Sequence, residues 1–311
     1  MKNKRVITGT VFAVVVAAFI LPAAAVPWLT AIFLTVVALI CALEYTMALK
    51  RRFGRLSFGM TLVGTLMMLT PLIAWLGYRS LRPDWVLITR NSNPIDEFWQ
   101  TDMIWLIFIG LGSFALIAMI YALGAMIYQA LKNGPKSLPT AFISLSVIPY
   151  IAFPFACALL FLFAIPNGFR WLILAFVAPT ITDVSAYYTG IYFGKRRFLG
   201  EISPNKTLEG TIGGVIGCTV FSLLFFTIFL RGAAPLRSDV AGFILYGLLA
   251  GILLGFVTQL GDWLASAVKR FAGRKDFSRL LPGHGGLLDR FDSIIFSFPM
   301  TLVVAILYSI F

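Results

Sequence analysis

Residues 240–264 read VAGFILYGLLAGILLGFVTQLGDWL, a run in which Asp262 is the single charged residue. A helix rising 1.5 Å per residue covers the ~30 Å hydrocarbon core of a bilayer in about 20 residues, so this run is long enough to cross it. Eight further runs of the same character occur at 6–25, 27–49, 57–77, 104–130, 139–164, 171–194, 211–230 and 291–311. The expected fold is therefore all-α: a polytopic integral membrane protein of about nine transmembrane helices. Composition agrees, since 59% of the 311 residues are hydrophobic and 12% charged, with a mean hydropathy of +0.92. Soluble domains carry roughly twice that charged fraction. No repeat and no Pro- or Ser-rich linker divides the chain, which reads as one membrane domain over 1–311. Within it, 1–170 is expected to supply scaffold helices and 171–311 the catalytic helices and cytoplasmic loops.

The net charge of +12 would point to nucleic acid in a soluble protein. Here the basic residues sit in short loops between apolar runs, so anionic lipid and anionic substrate explain them and nucleic acid is not expected. With nine spans and a cytoplasmic N-terminus, 19 Lys and Arg fall inside and six outside, at Arg79, Arg82, Arg90, Arg170, Arg231 and Arg237. That split sets the orientation as N-in and C-out, in a cell inner (plasma) membrane. Lys2, Lys4 and Arg5 precede the first run, and Ala23-Ala24-Ala25 imitates a cleavage site. The run is long enough to cross and a second follows at once, so it reads as a retained span rather than a leader. Cys41, Cys157 and Cys218 each lie in an apolar run without a paired cysteine, which predicts buried free thiols.

The inside loops after the sixth and eighth runs are dense in Gly, Lys, Asp and hydroxyl residues, which places the chemistry on the cytoplasmic side. Residues 261–292 read GDWLASAVKRFAGRKDFSRLLPGHGGLLDRFD. Asp262, Ser266 and Lys269 are spaced i, i+4, i+7 and share one helix face. A charge inside hydrocarbon costs at least a few kcal/mol and usually marks an ion or substrate path. Pro282-Gly283-His284-Gly285-Gly286 surrounds the only histidine with glycines, whose backbone N–H groups can approach a phosphate. Asp289 and Asp292 can face one side of the following helix. With Asp262 they make a carboxylate set suited to Mg²⁺, which completes its shell with phosphate oxygens and water. The opposing expectation is that these acids only pair with nearby Lys and Arg.

The pattern Ser266-x-Val268-Lys269-Arg270, then Lys275-Asp276, Ser278 and Leu281-Pro282-x-His284-Gly285-Gly286-Leu287-x-Asp289-Arg290-Phe291-Asp292 resembles the signature of the phosphatidate cytidylyltransferase (CDP-diacylglycerol synthase) family. A second block is similar to that family: Asp183 through Tyr187 to Gly190, Gly194-Lys195, and Ser203-Pro204-Asn205-Lys206-Thr207-Leu208-Glu209-Gly210. Leu208 departs from the family's frequent aromatic. The resemblance covers roughly the last 130 residues; the first half matches in hydropathy. It implies transfer of a cytidylyl group from CTP to phosphatidate in phospholipid biosynthesis, with Mg²⁺ and room for a second, monovalent or divalent, cation, in a homodimer. Asp262, Asp289, Lys269, Arg290 and His284 are then the catalytic candidates, with His284 positioning the loop or donating to a phosphate rather than acting as a base. Asp183, Tyr187, Ser203, Lys206, Thr207, Glu209, Ser266, Lys275, Gly285 and Gly286 are the substrate-binding candidates, and Asp262, Asp289 and Asp292 the metal ligands.

Lys206 and Thr207 precede an expected helix, whose N-terminus favours an anion. Gly210, Gly213, Gly214 and Gly217 read instead as close helix packing. Two competing functions remain: the same chemistry on another lipid phosphate, which no motif distinguishes, and an ion-coupled transporter. A transporter predicts matched halves and polar groups in several early spans. Here the first 83 residues hold one acid, Glu44, and no halves match.

Overall fold

Pro27 opens the helix Pro27–Phe53 at the position where its missing N–H costs nothing, and Lys50, Arg51 and Arg52 close it where cations favour the exposed carbonyls. The computed structural model describes residues 2–53, 56–80, 97–163, 165, 167–230, 240–283 and 285–310. Among them the chain forms α1 (Lys2–Ile20), α2 (Pro27–Phe53), α3 (Phe58–Ser80), α4 (Glu97–Asn133), α5 (Leu138–Leu145), α6 (Phe153–Phe163), α7 (Gly168–Phe193), α8 (Leu208–Phe225), α9 (Val240–Phe271) and α10 (Leu288–Ile310). A π-helical turn, Ile148–Ala152, precedes α6, and another, Phe226–Leu230, follows α8. No strand occurs among the described residues, only two isolated bridges. The protein is an all-α, polytopic membrane protein.

Seven helices among the described residues are long and apolar enough to cross a membrane: Pro27–Phe53, Gly112–Asn133, Leu138–Leu162, Gly168–Phe193, Leu208–Leu230, Ile244–Phe271 and Leu288–Tyr308. Two shorter apolar helices, Thr8–Ala24 and Phe58–Thr70, coincide with the first and third apolar runs of the sequence. In hydrocarbon no water satisfies a hydroxyl, so buried threonines turn back onto their own helices. Thr46, Thr65, Thr182 and Thr258 donate to the carbonyls of Ala42, Thr61, Ala178 and Leu254 at 2.7–2.8 Å. Cys41, Cys157 and Cys218 are buried free thiols.

The described residues group into two compact units interleaved along the chain. The first lies within 2–80, 105–163 and 269–291, the second within 97–104, 165–268 and 292–310. In the first, α2 buries Leu34, Ala38, Cys41, Ala42, Tyr45 and Leu49 along one stripe, and Tyr45 bonds Ser146 at 2.7 Å. Phe291 packs on Phe155 at 6.0 Å, which fixes the first turn of α10 against α6.

In the second unit, α7 and α8 press together through small residues. A Cβ on Gly213 would meet the side chain of Thr189, one on Gly217 that of Ser185, and one on Gly214 the carbonyl of Thr182 at 3.0 Å. α9 repeats the device against α8, with Gly251 on Thr219 and Gly255 on Val215. Such contacts let backbones approach where lipid offers helices no hydrophobic drive to associate. Trp171, Phe226 and Tyr308 form a buried aromatic trio with ring centroids 5.5–5.6 Å apart.

Candidate functional site

Residues 194–207, which join α7 to α8, return the chain to the start of α8. Arg197 and Thr207 form an antiparallel bridge, and the Leu208 N–H donates to the Arg196 carbonyl at 2.8 Å. Thr207 is the N-cap of α8: its extended backbone (φ −112°, ψ 152°) lets Oγ1 accept from the Gly210 N–H at 3.1 Å. Glu209 Oε2 accepts the N–H groups of Lys195 and Arg196 at 3.0 and 3.1 Å. Glu209, expected to bind substrate, clasps the loop through that one oxygen. Ser203 contributes its carbonyl to a turn with the Lys206 N–H at 3.2 Å.

This turn sets Lys206 at the N-terminal end of α8, where it forms an ion pair with Asp262 of α9; the two side chains are 29% and 22% exposed. Beside them in the same unit, Phe198 packs edge-on against Trp263 at 5.3 Å. Gln259, one turn before Trp263 on α9, donates to the Thr211 carbonyl at 3.0 Å and ties α9 to the first turn of α8. The Ser293 hydroxyl lies between two further carboxylates, 3.4 Å from Asp183 and 3.5 Å from Asp292. Asp183 is exposed and Asp292 buried. Tyr187, one turn after Asp183, is exposed and meets Tyr188 edge-on. Ser266 is half-buried on the unbroken helix α9.

The first unit holds the glycine loop and the opening turn of α10. Asp289 Oδ1 pairs with Lys269 Nζ at 2.9 Å, with side chains 4% and 12% exposed. Its Oδ2 accepts the N–H groups of Phe277 and Gly286 at 2.9 and 2.8 Å. Leu281 and Gly285 close the loop with an N–H···O bond of 2.8 Å, and Gly285 has φ +81°, a backbone that L side chains rarely adopt. Arg290 and Lys275 are exposed. His284 lies outside the described residues.

Sequence reasoning gave no site role to two features here. Glu44 of α2 is buried, and its carboxylate accepts from the Ser278 hydroxyl and the N–H groups of Leu287 and Leu288. The signal was an acid inside an otherwise apolar run. Arg274 is flanked by Arg51 and Arg279, and partial burial together with these cations pulls its guanidinium below the usual arginine range. Such a cluster favours an anion.

Among the described residues, no group of three or more His, Cys, Asp or Glu side chains could hold a metal ion. Asp262 and Asp289 are each engaged by a lysine, and Asp292 shares its serine with Asp183. The second unit offers a lysine facing a carboxylate at a capped helix start, and the first a buried lysine–carboxylate pair beside a glycine loop. Such features suit a membrane protein that handles anionic, phosphate-bearing ligands.

Residues 3–309 match the sequence model of the cytidylyltransferase family. The chain belongs to that family and is a nucleotidyltransferase; the match runs through the first half as well as the segment whose motifs carry the resemblance. The phosphatidate cytidylyltransferase of Staphylococcus saprophyticus is 36% identical over 193 residues, 62% of this chain and 68% of the relative. That of Staphylococcus epidermidis is 36% identical over 191 residues, 61% and 68% of the two chains. That of Staphylococcus aureus is 34% identical over 195 residues, 62% and 68%.

Proposed function

We propose that the protein transfers the cytidylyl group of CTP to phosphatidate, giving CDP-diacylglycerol and diphosphate. The observation that carries this reading is the start of α8, where Lys206 and the Thr207 cap meet beside Asp262, in a chain whose relatives bear that enzyme's name. An oxygen of the phosphatidate phosphate bonds to the α-phosphorus of CTP. The bond from that phosphorus to the oxygen bridging the β-phosphorus breaks, and its electron pair leaves with diphosphate. The attacking phosphate is already largely anionic at neutral pH, so no strong base is needed. Charge neutralisation is needed, to let two polyanions meet in line.

Lys206 and the α8 N-terminus bind the CTP phosphates, while Lys269 and Arg290 offset the charge that develops on the leaving diphosphate. Ser203, Thr207, Ser266, Lys275, Gly285 and Gly286 supply hydroxyl, ammonium and backbone donors around them. Mg²⁺ fits the donor chemistry. Asp183 and Asp292 flank one hydroxyl, and Asp262 is paired with Lys206 and must release it to take a metal. Mg²⁺ takes one or two carboxylates and keeps sites for phosphate and water. Asp262, Asp289 and Asp292 are its proposed ligands, and when bound it supplies positive charge to the diphosphate. Asp289 must release Lys269 to serve, because both of its oxygens are engaged. The site faces the cytoplasm of a bacterial plasma membrane, and the protein is proposed to work as a homodimer.

The test is detergent-purified full-length protein with labelled CTP and a panel of phosphate-bearing lipids. Equimolar CDP-diacylglycerol and diphosphate are expected with phosphatidate. Failure with phosphatidate but turnover of another lipid would move the acceptor; no turnover with any acceptor would end the reading.

A further inference from the structure

Glu44 is 2% exposed on α2 and belongs to the half of the chain that carries no catalytic motif. Within the first unit its Oε1 accepts the Ser278 hydroxyl at 2.6 Å and the Leu287 N–H at 3.0 Å, and its Oε2 accepts the Leu288 N–H at 2.7 Å. We infer that Glu44 is a positioning residue for the transfer reaction, holding the glycine loop and the first turn of α10 in their reacting arrangement; the inference rests on the transferase reading above.

Three observations support it. First, Leu288 opens α10, and the leading N–H groups of a helix have no partner inside it, so a buried helix start needs an acceptor from elsewhere. Glu44 supplies that acceptor. Second, the loop it grips is intrinsically loose: Gly283 and Gly285 sit at φ +80° and +81°, and glycine has the largest conformational freedom to lose. Two carboxylates brace this loop from different helices. Asp289 takes Phe277 and Gly286, and Glu44 takes Ser278, Leu287 and Leu288. Third, the fit leaves no slack at Gly286, where a Cβ would lie 2.5 Å from Glu44 Oε2. The residues held this way stand directly before Asp289 and Arg290. A misplacement of about 1 Å at reacting groups can cost about 100-fold in rate.

Glu44→Gln keeps the volume but turns one acceptor oxygen into an N–H donor, which must then face an N–H or the hydroxyl. Glu44→Asp keeps both acceptors on a stem shorter by one methylene. The full-length protein in detergent is assayed for kcat and KM for CTP and, separately, for backbone hydrogen exchange in peptides covering 278–291 and 194–209. Glu44→Gln is expected to lower kcat at least about tenfold with KM for CTP changed less than about threefold. Exchange should rise in 278–291 and stay unchanged in 194–209, and Glu44→Asp should recover part of kcat. Normal kcat in Glu44→Gln overturns the inference, and so does exchange raised equally in both peptides, which marks general loosening. If wild-type protein makes no CDP-diacylglycerol, the transferase reading fails on its own. The exchange experiment then judges the anchoring: unchanged protection of 278–291 in Glu44→Gln overturns it.

Discussion

Lys269 lies 2.9 Å from Asp289, and both side chains are almost fully enclosed. Removing one partner of a buried pair leaves the other charge uncompensated, at a cost of about 3–5 kcal/mol. Lys269→Met and Asp289→Asn should therefore each lower the melting temperature in detergent as well as turnover. The double variant should lose less stability than the sum of the two singles. Thermal unfolding of the three proteins checks this, and strict additivity would show that the pair is not coupled.

The pair Lys206–Asp262 predicts the opposite balance. At 29% and 22% exposure the pair is less enclosed than Lys269–Asp289, so its contribution to stability is smaller. Lys206→Met should leave the melting temperature nearly unchanged while raising KM for CTP or lowering turnover. A normal CTP titration by this variant would detach Lys206 from the nucleotide.

Metal dependence separates the three proposed ligands. Chelation should abolish product formation and Mg²⁺ should restore it. At limiting Mg²⁺, Asp262→Asn and Asp289→Asn should lose activity by orders of magnitude, as expected when several kcal/mol of transition-state stabilisation disappears. Asp292→Asn should be milder, since Asp183 shares its serine and keeps a carboxylate at that place. Near-normal rates in either of the first two would return that residue to a structural ion pair.

Orientation is checked with single added cysteines, because Cys41, Cys157 and Cys218 are buried and give little background. An impermeant thiol reagent should label Asn91→Cys from the outer side of intact cells and Leu280→Cys only after the cells are opened. The reverse pattern would invert both the topology and the side on which the chemistry occurs.

The α7–α8 seam is tested at Gly217, where a Cβ would collide with the Ser185 side chain. Gly217→Val should lower the melting temperature, as overpacking by a few atoms costs about 1–3 kcal/mol. Unchanged melting would mean that the seam gives way easily.

The spans were legible because hydrocarbon imposes a length and a polarity that any apolar run must meet, and the packing role of Gly213 and Gly217 followed from their spacing. The site was legible as residue types but not as partners. Lys206 and Asp262 are 56 positions apart, and Glu44 is 234–244 positions from the groups it holds. Helical periodicity relates residues within a few turns and says nothing about such distances. Glu209 shows the same limit. Its place in a motif suggested substrate contact, whereas its geometry serves the backbone of Lys195 and Arg196.

That clasp has a thermodynamic consequence. With residues 195–208 tied down by Glu209, the Arg196 carbonyl and the Thr207 cap, the ordering entropy of this loop is spent when the protein folds, not when nucleotide arrives. Ordering a loop on binding costs affinity, and this loop is spared part of that cost. A nucleotide bound at the proposed site would meet a preordered loop, so its association is expected to be fast and to carry only a small change in heat capacity, unlike a segment that folds around its ligand.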